Sequence, residues 1–109
     1  MSDNNPSAKK MLLLTVIVRS RDSFEGKPLD GLILSLYKQM GISGATVMHG
    51  ARGYGFRGEA RADVLGLSVN LPVIIETVIE HEKVDEVIPE VRRIVGDKGL
   101  ITTAEVSMY

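Results

Sequence analysis

Cysteine and tryptophan are absent from this 109-residue sequence, and histidine occurs only twice. Without thiols the chain makes no disulfide, no thiolate metal site and no cysteine nucleophile. His49 stands beside Gly50 at the end of an expected strand, and His81 lies between Glu80 and Glu82. Neither has a partner at metal-ligand spacing. Aromatic residues make up 5% of the chain, a poor supply for the base-stacking surfaces that single-stranded RNA requires. An excess of one charge is missing too: 13 basic and 14 acidic residues leave a formal net charge of −1. Nothing global therefore steers the protein toward nucleic acid or an anionic membrane. The apolar run Met11–Val18 spans eight residues, against the roughly 20 that a membrane helix needs. Arg19-Ser20-Arg21-Asp22 follows it where a signal peptide would place small residues. The expectation is a cytoplasmic protein without membrane insertion. No nucleophile-elbow or other hydrolase motif is present, so an enzyme is the least supported of the function classes.

What is there is an ordinary globular composition, 44% hydrophobic and 25% charged, with a length that suits one domain. Residues 1–10 are polar and contain Pro6, which predicts a disordered tail ahead of a single domain over residues 11–109.

Met11–Val18 reads as a buried strand, flanked by charges and rich in β-branched residues toward its end. Pro28 suits the first turn of a helix, and Leu29, Leu32, Ile33, Leu36 and Met40 follow at helical spacing before Gly41. Ala45–His49 is a short second strand, and Pro72–Glu80 a third, strongly β-branched one. Val84, Val87, Ile88, Val91 and Ile94 define a second amphipathic helix ending before Gly96. Pro89 inside that helix should kink or loosen it. Leu100–Met108 is the last strand. This βαββαβ order predicts an α+β, ferredoxin-like fold: a four-stranded antiparallel sheet with both helices on one face. The first strand nevertheless carries Leu12, Leu14, Val16 and Val18 on one side and Met11, Leu13 and Ile17 on the other. Large bare apolar patches are uncommon on monomers, so a second subunit is expected to cover the set facing away from the helices, the alternative being that the long connection folds back over it.

Residues 50–71 connect the second and third strands with no clear periodicity, an unusual length for a plain connection. The segment opens with Gly50-Ala51-Arg52-Gly53-Tyr54-Gly55-Phe56-Arg57-Gly58. Its glycines let the backbone approach a ligand, and Arg52 and Arg57 supply cations for an anion. The plain structural reading is a hairpin or bulge with solvated arginines. Glu59, Arg61 and Asp63 make a possible polar cluster. A second cluster, Gly96-Asp97-Lys98-Gly99, reads first as a helix stop and tight turn. Its functional reading is a second anion-facing loop with Lys98 as a point charge.

Several blocks together resemble one family. They are Gly26-Lys27-Pro28-Leu29, then Gly41-Ile42-Ser43-Gly44-Ala45-Thr46-Val47 with Gly50 and Gly53-Tyr54-Gly55. Leu65-Gly66-Leu67-Ser68-Val69-Asn70-Leu71-Pro72-Val73-Ile74-Ile75-Glu76 and Gly99-Leu100-Ile101-Thr102 complete the match. Over residues 11–109 the chain resembles the prokaryotic domain of unknown function 190, which is similar to the PII signalling proteins. The resemblance implies a homotrimer with inward-facing sheets and a mobile loop between the second and third strands. It also implies a small anionic ligand at clefts between subunits, an adenine nucleotide with magnesium being the candidate, and a protein partner reached through the loop. The positions that would fall at that cleft are Gly50, Arg52, Gly53, Tyr54, Gly55 and Arg57, with Gly96, Asp97, Lys98 and Gly99. In place of the longer PII phosphate loop ending Gly-Asp-Gly-Lys, this chain carries the shorter Gly96-Asp97-Lys98-Gly99.

The competing reading is an RNA-recognition module, because Arg52-Gly53-Tyr54-Gly55-Phe56 matches the opening of a ribonucleoprotein motif. The match breaks at Arg57-Gly58-Glu59, and the first strand offers no partner aromatic.

Overall fold

The structure, a computed structural model of the chain, describes residues 7–61 and 70–109. Its central sheet holds β1 (Lys9–Arg19), β4 (Thr46–His49), β7 (Pro72–Ile79) and β8 (Leu100–Met108), in the order β4-β7-β1-β8 and antiparallel throughout. Helices α1 (Leu29–Gln39) and α2 (Val84–Val95) pack on one face. This is the four-stranded, two-helix α+β fold that the order of elements predicts. Two small hairpins stand beside it: β2 (Ser23–Phe24) with β3 (Lys27–Pro28), which was not expected, and β5 (Arg52–Gly55) with β6 (Gly58–Arg61), as the plain hairpin reading of that stretch has it.

Register sorts the sheet into two faces. Leu14, Val16 and Val18 stand opposite Thr77, Ile75 and Val73, and all six are buried under the helices. From α1 come Leu29, Ile33 and Tyr37, spaced four apart, and from α2 come Val87, Val91, Ile94 and Val95. Each fully buried aliphatic side chain contributes about 1.5–3 kcal/mol relative to an exposed one. Thr77 is the polar member of this face, and its hydroxyl donates to the carbonyl of Gly44 at 2.5 Å. On the opposite face Ile17 stands against Ile74 and Leu100, Leu13 against Val78, and Met48 against Ile74. Ile17, Val78, Met48 and Leu100 are 36%, 37%, 41% and 56% exposed.

The structure moves several boundaries. β1 begins at Lys9 because backbone pairing with Ser107 and Met108 extends the ladder past the apolar run. The ladder does not depend on side-chain polarity, so the polar stretch expected to be a tail enters the sheet at Lys9. Residues 1–6 lie outside the described residues. Pro28 precedes α1 and closes the β2–β3 hairpin, whose turn residues Glu25 and Gly26 have φ of 52° and 79°. Such a turn matches the right-handed twist of paired strands. α2 runs without a break through the exposed Pro89. Lys83, just ahead of α2, reaches across to the C-terminus of α1, where its Nζ donates to the Met40 carbonyl at 2.8 Å. That bond satisfies one of the carbonyls a helix end leaves open.

Candidate functional site

The hairpin in the long connection stands outside the central sheet, with Phe56 and Arg57 at its tip. Two groups at the end of β1 hold it there. Arg57 Nη1 and Nη2 donate to Asp22 Oδ1 and Oδ2, both at 2.8 Å. The Arg19 guanidinium donates to the carbonyls of Arg57, at 3.3 Å, and of Gly58. Asp22 is itself fixed by its neighbours: Oδ2 accepts from the Arg19 N–H at 2.8 Å, its own N–H donates to the Arg19 carbonyl at 2.9 Å, and its carbonyl accepts from Leu29 N–H. The returning limb is tied down nearby, with Ser20 N–H donating to the Leu71 carbonyl and Leu71 N–H to Ser20 Oγ.

These contacts set the electrostatics. Burial pushes the Asp22 carboxyl up, but the Arg57 and Arg19 hydrogen bonds and the charges of Arg57 and Lys98 outweigh it and hold its pKa below the ordinary value. The hydrogen bond to Asp22 pushes the Arg57 pKa up against a smaller burial effect, and the charges of Asp22 and Asp97 add to the rise. Arg57 is a firmly held cation and Asp22 a firmly held anion at neutral pH.

Beside the hairpin lies an open cleft of about 200 Å³. Ile17, Val18, Pro72 and Leu100 give it an apolar floor, residues 53–57 form one wall, and Gly99 with Lys98 forms another. Arg19 and Arg57 line it as well. The Lys98 Nζ donates to the Ser23 carbonyl at 3.0 Å. Gly99 admits no side chain: a Cβ there would lie 2.6 Å from the Ile17 carbonyl oxygen, 2.8 Å from Val18 Cγ1 and 2.9 Å from Val95 Cγ1.

Of the positions singled out in the sequence, Gly53, Tyr54, Gly55, Arg57, Lys98 and Gly99 line this one cleft, though the two segments are some forty residues apart. Gly50, Arg52, Gly96 and Asp97 do not line it. Gly50 donates its N–H to the Pro72 carbonyl at 2.8 Å, and Arg52 is exposed on β5 opposite Arg61. Gly96 terminates α2 with φ of 62° and donates to the Arg92 carbonyl, as the plain helix-stop reading has it. Asp63 lies outside the described residues, as does the stretch Leu65–Val69. Arg19 and Asp22 are the residues the sequence reading missed. Each is one of many charges in the sequence, and only the turn bonding Arg19 to Asp22 brings them to the hairpin.

Placement does not favour the RNA-recognition reading. Tyr54 and Phe56 are 90% and 80% exposed, but they belong to the hairpin and not to the four-stranded sheet. Among the described residues the open sheet face presents Ile17, Met48, Val78 and Leu100 in place of rings, which makes it a poor stacking platform.

Among the described residues no helix is long and apolar enough to cross a membrane. The profile of the DUF190 family, described as Uncharacterized ACR, COG1993, matches residues 11–108. The UPF0166 protein of Methanocaldococcus jannaschii is 42% identical over 100 residues, which span 92% of this chain and 93% of that protein. A UPF0166 protein of Aquifex aeolicus is 36% identical over 100 residues, 91% of this chain and 93% of the relative. Among solved structures, CPII from Thiomonas intermedia K12 bound to ADP and bicarbonate superposes with a TM-score of 0.73 at 13% identity, covering 93% of this chain and 90% of that one. A second structure of CPII, a nitrogen regulatory PII-like protein, bound to ADP, AMP and bicarbonate, gives 0.66 at 12% identity over the same shares of the two chains. At such identity the likeness establishes a PII-like fold.

Proposed function

The chain belongs to the DUF190 family, and on that premise we propose that it is a PII-like regulatory protein, not an enzyme, that senses a small anion, an adenine nucleotide, at the cleft beside the hairpin. The observation that carries the reading is the convergence of residues 53–57 and 98–99 on one cleft with cations at its rim and an apolar floor. A nucleotide has that polarity: a flat base for Ile17, Pro72 and Leu100, and phosphates for Arg19, Arg57 and Lys98. The CPII structures of the same fold are bound to ADP, which supports the choice of ligand.

We infer further that the cleft is shared between copies of the chain. At about 200 Å³ it is smaller than the roughly 300 Å³ at which small-molecule pockets begin. Two of its floor residues, Ile17 and Leu100, pair in the sheet and belong to the bare apolar face. A trimer that buries that face brings a neighbouring chain to the rim of the cleft and completes it. Ligand then acts on the hairpin, and the hairpin on a protein partner. Magnesium would accompany the phosphates.

Thermal unfolding with a panel of adenine and guanine nucleotides, each with and without magnesium, tests the reading. A ligand at a hundred times its dissociation constant stabilises by about 2.7 kcal/mol, a shift of several degrees in a domain of this size. A selective shift with an adenine nucleotide is expected. No shift anywhere in the panel contradicts the nucleotide assignment.

A further inference from the structure

We propose that Asp22 is a resident competitor for the anion, its carboxylate filling the fork of Arg57 and having to yield it before an external anion binds there. The inference rests on the anion-binding reading above and adds what gates that site. A guanidinium recognises a carboxylate and a phosphate through the same pair of parallel N–H donors. In Arg57 both terminal nitrogens are already committed to Asp22, although the residue lines the cleft and its side chain is 29% exposed.

The other two cations of the cleft are engaged more weakly. Arg19 is held by main-chain carbonyls of the hairpin and Lys98 by the Ser23 carbonyl. Those acceptors are neutral, and bonds to an ionised acceptor are the stronger ones. Asp22 is therefore the principal rival to an incoming anion.

The two partners are not equally free to move. Asp22 is also held by its backbone bonds to Arg19 and Leu29 and by its carboxylate bond to the Arg19 N–H, none of which involves Arg57. Arg57 sits at a two-residue hairpin tip, and it is the member that can swing. Exchanging Asp22 for an external anion then alters the tether of the hairpin in the same step that fills the cleft. The apparent affinity is reduced by the fraction of chains in which Arg57 is released.

The test uses the full chain and two probes, pyrophosphate and ADP, titrated calorimetrically into the wild type and Asp22→Asn. Amide hydrogen exchange at Gly53, Gly55 and Gly58 is followed in both proteins without ligand. The expected result is pyrophosphate binding about tenfold tighter in Asp22→Asn, with faster exchange in the hairpin. Asp22→Ser, which keeps an oxygen for the Arg19 N–H, gives the same comparison if the asparagine variant does not fold. Pyrophosphate binding that is unchanged, weaker or absent in the variants overturns the inference and makes Asp22 a brace for the hairpin. Tighter pyrophosphate binding without any ADP binding upholds the competitor and overturns the nucleotide reading instead.

Discussion

Arg57 and Asp22 stand 35 positions apart in the chain and meet through two parallel hydrogen bonds of 2.8 Å each. Their pairing fastens the tip of an otherwise exposed hairpin to the end of the first strand. The side chain of Asp22 is only 8% exposed and that of Arg57 29%, so the pair is better shielded from solvent than an ordinary surface ion pair.

The first prediction concerns pH. Asp22 has a lower pKa folded than unfolded, so its contribution to stability is present above the ordinary value of 3.8 and is lost as pH falls through the folded value. The amide signals of Gly55 and Gly58, followed by NMR, should report release of the hairpin in that acidic range. Asp22→Asn should abolish this transition. A transition that persists in the variant would assign it to another carboxylate.

Gly99 gives a prediction about packing. With a Cβ placed 2.6 Å from the Ile17 carbonyl oxygen, Gly99→Ala forces apart α2, β1 and the turn that leads into β8. Overpacking of this kind costs about 1–3 kcal/mol, which lowers the Tm by several degrees. Gly55 has nothing within 4 Å of the same position, so Gly55→Ala should change the Tm by about two degrees or less. Differential scanning calorimetry of the two variants decides it, and equal midpoints would contradict the close approach at Gly99.

Tyr37 is 2% exposed, its hydroxyl has no hydrogen-bond partner among the described residues, and burial pushes its pKa up to about 12. An unpartnered buried hydroxyl costs about 1–3 kcal/mol. Tyr37→Phe should therefore leave stability unchanged or raise it, as measured by urea denaturation. A loss of more than about 1 kcal/mol would mean that the hydroxyl has a partner in the assembled protein.

The bare sheet face predicts assembly. Ile17 lies between Ile74 and Leu100 in the register and is 36% exposed in the single chain. Ile17→Glu should convert a trimer to monomers in analytical ultracentrifugation, because an unpaired carboxylate is costly to bury. A monomeric wild type would contradict the proposed shared cleft.

The two central strands, β1 and β7, and both helices were legible because they follow burial. Ile75 and Val73 on β7, and Val87, Val91 and Ile94 on α2, repeat at the periods that strands and helices impose. The β5–β6 hairpin follows no such pattern. Arg52-Gly53-Tyr54-Gly55 buries no side chain, and the hairpin is fastened by Arg19 and Asp22 from another part of the chain. Composition pointed to the glycine clusters around Arg57 and Lys98 as candidates. It could not show that Arg57 already has a carboxylate partner, because that pairing exists only once the β1–β2 turn and the hairpin tip are brought together.

Calorimetric titration of ADP into the full chain, beside Lys98→Ala and Arg57→Ala, tests the central claim most directly. The account predicts saturable binding at one ADP per chain, weakened about tenfold or more by each substitution, with both variants still folded. Absence of ADP binding to the wild type, or affinity untouched by either substitution, would contradict it.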